Sequence, residues 1–198
     1  MPSVVDICNE AMHLLGADTI TSLTENSKEA RYCNSAYTEK RDAVLRGHPW
    51  NVAITRATLA KDAEAPAFGF DNQFTLPTNP YCLRVLSFWD NNVDNELSAY
   101  DSQVMFKIEG RKVLTNESEC KITYIGRVID TEQYDPLLVS SIACRLAADG
   151  AYHLTGSMSV SQQMQVLYEA RLREARGIDA MEGQPDKLLA DDFVNIRF

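Results

Sequence analysis

Three histidines, five cysteines and a scatter of acidic pairs are the residues of this chain with the most chemistry in them. His13, His48 and His153 lie far apart, and none stands in His-x-x-x-His or a similar metal-ligand spacing. His48 is the one to watch, because His48-Pro49-Trp50-Asn51 is a distinctive phrase. A catalytic His48 would need a nucleophile beside it, and no Gly-x-Ser-x-Gly elbow is present. The chain has no Gly-x-Gly-x-x-Gly and no Gly-Lys-Ser/Thr loop either, so nothing supports nucleotide binding. His13 borders an apolar helical stripe and reads as a structural histidine.

Asp90/Asp94, Asp130/Glu132 and Asp191/Asp192 carry oxygens that a hard cation could use. The segment from Asp90 to Glu96 lacks the glycine and the distal bidentate Glu of a calcium loop, so it reads as a solvated turn. Cys8, Cys33, Cys82, Cys120 and Cys144 are odd in number, widely spaced and without a Cys-x-x-Cys pair, which fits neither a disulfide framework nor a zinc site. Cys8, Cys33 and Cys144 fall on apolar helical faces, as reduced core residues do. Arg171, Arg173 and Arg176 are offset by Glu169 and Glu174 and read as a solvated or subunit-contacting face. No catalytic, cofactor-binding or metal-binding residue is predicted.

The elements that must hold these residues follow from periodicity. Val4, Ile7, Cys8, Ala11, Met12 and Leu15 form one helical stripe over Val4 to Leu15, with Ser3 as N-cap and Gly16 as stop. Asn26 with Glu29 signals a second helix over Ser27 to Arg46, ended by Gly47 and Pro49. From Trp50 to Ile129 the runs shorten and β-branched and aromatic residues increase. Strands are predicted over Val52–Leu59, Gln73–Leu76, Leu83–Trp89, Val104–Ile108, Lys112–Leu114 and Lys121–Val128, with a tight turn at Glu109-Gly110. Trp50, Phe74 and Trp89 are the predicted structural anchors of this β layer. Asp135-Pro136 starts a third, central helix running to Leu154, and a fourth covers Val160 to Arg176 with Gly177 as its cap.

The predicted fold class is α+β. A bundle of about four helices is drawn from residues 1–51 and 133–177, a β-rich antiparallel insert occupies 52–132, and an extended C-terminal tail covers 178–198. The tail ends Phe193-Val194-Asn195-Ile196-Arg197-Phe198, and an alternating apolar tip suits docking on a partner or a sheet edge. Phe193, Val194, Ile196 and Phe198 are the predicted contacts with a neighbouring subunit or partner.

With 198 residues and 45% apolar residues the chain can build its own core. The net charge of −9 argues against a grip on nucleic acid by phosphate neutralisation. No secretory signal and no membrane-spanning run is visible, which predicts a soluble protein made in the cytoplasm, with no membrane partner.

The order of phrases resembles the tail tubular protein A family, the head-to-tail adaptors of short-tailed bacteriophages. The opening Val5-Asp6-Ile7-Cys8-Asn9-Glu10-Ala11-Met12-His13-Leu14-Leu15-Gly16 looks like that family's first helix. Arg41 to Asn51 looks like its second helix and the Trp phrase that follows, with Val52 or Ala53 where an aromatic is common. Phe74-Thr75-Leu76-Pro77 through Tyr81-Cys82-Leu83-Arg84-Val85-Leu86 is similar to its Leu-Pro strand. Ile122-Thr123-Tyr124-Ile125 with Tyr134-Asp135-Pro136 is similar to its entry into the third helix. The resemblance implies a virion protein without enzymatic activity or cofactor. It implies a homo-oligomeric ring of twelve subunits between the portal protein and a tail nozzle protein of the tail tubular protein B type, with genome DNA passing through without sequence-specific binding. An enzyme with a cleft between bundle and sheet, or a small monomeric binding module, is the competing expectation.

Overall fold

The computed structural model describes residues 2–89 and 105–182. It shows a mixed α+β fold with four helices and two small antiparallel sheets, divided into two compact units. The predicted turn at Asp90–Asp94, the first residue of the predicted Val104 strand and the tip Phe193–Phe198 lie outside the described residues.

The helical unit comprises residues up to Ala53 and from Arg127 to Glu182. Its helices are α1 (Val4–Leu15), α2 (Lys28–Gly47), α3 (Pro136–Thr155) and α4 (Met158–Met181). Ser3 and Asp6 close a reciprocal capping box at the start of α1, and Gly16 ends it in the left-handed conformation with φ 63°. At α2 the cap is Ser27, whose hydroxyl accepts from the Ala30 N–H. Asn26, the predicted cap, instead accepts a hydrogen bond from Arg31. Asn and Ser cap about equally well, so local sequence alone does not separate the two positions.

α3 is the core of this unit, with α1, α2 and α4 all packed on it. Asp135 caps it, Pro136 fills its first turn, and Leu138, Ile142, Ala143, Leu146, Ala147 and Ala151 are buried along it. Burying each Leu or Ile stabilises the unit by about 1.5–3 kcal/mol before entropy is counted. Gly150 is required where it stands: a Cβ there would lie 2.6 Å from the Tyr32 ring, whose hydroxyl donates to the Leu146 carbonyl.

α4 begins at Met158, capped by Ser157, and runs through Gly177 to Met181. The predicted stop at Gly177 is therefore corrected, and the first residues of the predicted extended tail, 178–181, are helical. A single glycine costs a helix only about 1 kcal/mol, and contacts at Asp179 hold the last turn.

The β unit lies between Ile54 and Gly126. Its strands are β1 (Ile54–Leu59), β2 (Asn72–Thr75), β3 (Cys82–Trp89), β4 (Phe106–Glu109), β5 (Lys112–Thr115) and β6 (Cys120–Gly126). The predicted single β layer is thus two sheets, ordered β1-β6-β3 and β2-β5-β4, all antiparallel. Residues 51–53 form a 3₁₀ turn in the helical unit, so the strand predicted from Val52 starts at Ile54 instead. Phe74, Leu76 and Val113 of one sheet region pack with Phe88, Ile122 and Tyr124 of the other. The β4–β5 turn uses Gly110 at φ 58°, a conformation that favours glycine.

Candidate functional site

The three histidines do not converge. His13 and His153 are exposed at the ends of α1 and α3. His48, just past α2, is tied to α4: its Nε2 lies 2.9 Å from Asp179 Oδ2, and its ring meets Trp50 edge-on at 4.7 Å. The other carboxylate oxygen of Asp179 accepts the Asn51 backbone N–H at 3.0 Å, and the Asn51 side chain donates to the Asp179 carbonyl at 2.7 Å. Arg176 adds a bond to the Gly47 carbonyl. This clasp fixes the end of α4 to the end of α2. No local spacing could reveal it, because Asp179 is 131 residues from His48.

The three predicted anchors have different settings. Trp50 is fully buried in the helical unit, and its indole N–H donates to the Val44 carbonyl at 3.0 Å. Phe74 is buried in the β core. Trp89 is partly exposed; its N–H donates to Thr123 Oγ1, and Arg56 lies over its ring.

The acidic pairs are engaged in structure where they are described. Asp130 caps a 3₁₀ turn and accepts from the Glu132 N–H and the Gln133 side chain. Asp191 and Asp192 lie outside the described residues, as do Asp90 and Asp94. Among the described residues no group of His, Cys, Asp and Glu is assembled to hold a metal. Arg171 pairs with Glu174 at 3.0 Å. A shallow cavity of about 340 Å³ in the β unit is lined by Phe68, Phe70, Leu114, Lys107 and Glu109. Its carboxylate, Glu109, is paired to Lys107 at 2.8 Å, so no free acid or base faces it.

Arg111 was not singled out by sequence, yet it organises the loop from Leu76 to Cys82. Its guanidinium donates to the Leu76, Pro77 and Cys82 carbonyls and stacks 3.9 Å from the Tyr81 ring centre. The Leu-Pro phrase of the sequence is therefore held in shape by a residue of the β4–β5 turn.

What each unit does leave open is apolar surface. On α4, Val166 is 68% and Met181 74% exposed, with Met158 also outward. In the β unit, Phe68 is 89% and Met105 76% exposed, and Ile108 of β4 is half-exposed. Ile108 shares the side of the sheet that carries Val113 and Phe74, so it extends the core face to the edge strand. Phe106, two residues earlier, stacks on Phe88 with centroids 5.7 Å apart.

No protein-family model and no curated protein matches the chain. The functional reading therefore stands on the residues, their geometry and the order of phrases in the sequence.

Proposed function

We propose that this protein is a structural subunit of a virion tail: one copy in a head-to-tail adaptor ring that joins the portal protein to the tail nozzle. Genome DNA passes through the ring, which makes no sequence-specific contact with it. The reading adopts the twelve-fold ring, the portal and nozzle partners and the cytoplasmic synthesis that the sequence resemblance implies.

The observation that carries it is the exposure of large apolar side chains on both units. A closed ring is built from heterologous contacts, in which each subunit presents two unlike faces. The helical unit offers Val166 and Met181 on α4, and the β unit offers Phe68, Met105 and Ile108. These exposed apolar side chains lie on separate folded units, and a ring subunit needs apolar contacts on two unlike faces. The acidic balance supports the same reading, since a conduit wall that gathers few cations releases DNA readily.

The test is one charge on each unit, Val166→Glu and Phe68→Glu. Both variants keep the wild-type melting temperature, because both side chains already meet water. Each prevents incorporation into rings on the portal, read by sedimentation of the mixture. Rings that form normally from both variants would remove these surfaces from the assembly.

A further inference from the structure

Among the described residues β4 is an edge strand, paired with β5 alone, and every residue from Phe106 to Glu109 is exposed. The other edge of the same sheet is covered. There Lys61 bridges to Phe74 of β2, and the Asp62 N–H donates to the Gln73 carbonyl. An exposed edge presents a row of backbone donors and acceptors to any strand that meets it.

The register shows which of those groups point outward. The Leu76 N–H donates to the Arg111 carbonyl, and Phe74 stands opposite Val113, so residues 111 and 113 turn their hydrogen-bonding groups toward β2. Lys112 and Leu114 turn theirs the other way, toward Glu109 and Lys107 of β4. The N–H and C=O of Phe106 and Ile108 therefore point out of the sheet. Side chains alternate across it as well. Ile108 shares the core side with Val113, while Lys107 and Glu109 stand together on the opposite side, 2.8 Å apart.

The geometry points to β4 as a two-fold contact with a second copy of this chain, strand against antiparallel strand. Ile108 exchanges two backbone hydrogen bonds with its counterpart, and Lys107 of each copy lies opposite Glu109 of the other. These charged pairs fall at the positions without mutual backbone bonds, where opposite side chains are closest. Charge selects this register. Shifting one copy by two residues, the smallest step that keeps the outward groups facing, sets Lys107 against Lys107 or Glu109 against Glu109, and like charges directly opposite destabilise a pair of strands. Ile108 gains an apolar neighbour in its counterpart, and the two three-stranded sheets become one of six strands. The net charge of −9 on each copy opposes the encounter, so the contact fills at millimolar and not at micromolar concentration. An isologous contact stops at two copies and closes no ring, so this inference does not rest on the adaptor reading.

The test is sedimentation of the full chain from micromolar to millimolar concentration at moderate salt, with amide hydrogen exchange on the same samples. A monomer–dimer equilibrium is expected, with the Ile108 amide exchanging freely in the monomer and protected in the dimer. Lys107→Glu and Glu109→Lys each set like charges opposite and weaken dimerisation by about tenfold or more. Both side chains are exposed, so both variants fold. Glu109→Lys also lowers the net negative charge, which would strengthen association if overall repulsion alone governed it. The double reversal, and an equimolar mixture of the two single variants, restore the dimer because opposite charges face each other again. A chain that stays monomeric at millimolar concentration, an Ile108 amide already protected in the monomer, single variants that pair like the wild type, or a mixture that fails to pair would overturn the proposal.

Discussion

Tyr32 and Gly150 show how tightly a single position can be specified in α3. The Tyr32 ring occupies the space where a Cβ on residue 150 would sit, and the ring is held there by its bond to the Leu146 carbonyl. Gly150→Ala should therefore destabilise by about 1–3 kcal/mol in urea unfolding, as overpacking does. Gly177 is the internal control. A Cβ there meets nothing within 4 Å, so Gly177→Ala should stabilise α4 by about 0.5–1 kcal/mol. Glu25 supplies a pH test at the same scale. The Thr21 backbone N–H, the Ser27 hydroxyl and the Thr21 hydroxyl all donate to its carboxylate, which lowers its pKa from the ordinary 4.5 to about 2. A depressed carboxylate adds stability above its unfolded pKa and loses it as pH falls through the folded one. The melting temperature should fall between about pH 4.5 and pH 2, and Glu25→Gln should flatten that part of the curve. An unchanged slope in the variant would show that other groups set it.

At the scale of elements, capping chemistry was legible and long-range fastening was not. The first helix was readable to the residue, because Ser3, Asp6 and Gly16 are unambiguous cap chemistry around one apolar stripe. The Asp135-Pro136 start of α3 and the β4–β5 turn were legible for the same reason. The end of α4 was not. Gly177 looks like a stop when only its neighbours are seen, but His48 and Asn51 hold Asp179 and the helix continues. The split of the strands into two sheets was also hidden, since alternation gives the side a residue faces and not which strand it pairs with. Among the site residues, the fully buried settings of Trp50 and Phe74 suit their large apolar side chains, whereas Arg111 and Asp179 gave no local signal because their partners lie in other segments. The clasp makes its own prediction. Asp179→Ala removes the acceptor for His48 and for the Asn51 N–H, and should cost about 1–3 kcal/mol. Hydrogen exchange should then quicken at residues 177–181 first, while the middle of α3 stays protected until global unfolding. Uniform acceleration would show that the clasp does not act locally.

On the scale of the whole molecule, charge governs the encounter between copies. The chain carries a net −9, and among the described residues the surplus acid falls on the helical unit while the β unit is near balance. Like-charged copies repel over about 8–10 Å at moderate salt. Purified protein at micromolar concentration should therefore sediment as a monomer, with self-association rising as salt is added. Assembly then depends on a template that supplies the second surface for each copy. The most direct measurement is an electron micrograph of the purified chain mixed with its candidate portal protein. The account predicts a closed ring of this subunit seated on the portal, and no ring in the chain alone. Particles that stay dispersed beside a bare portal, or a protein absent from assembled virions, would contradict it.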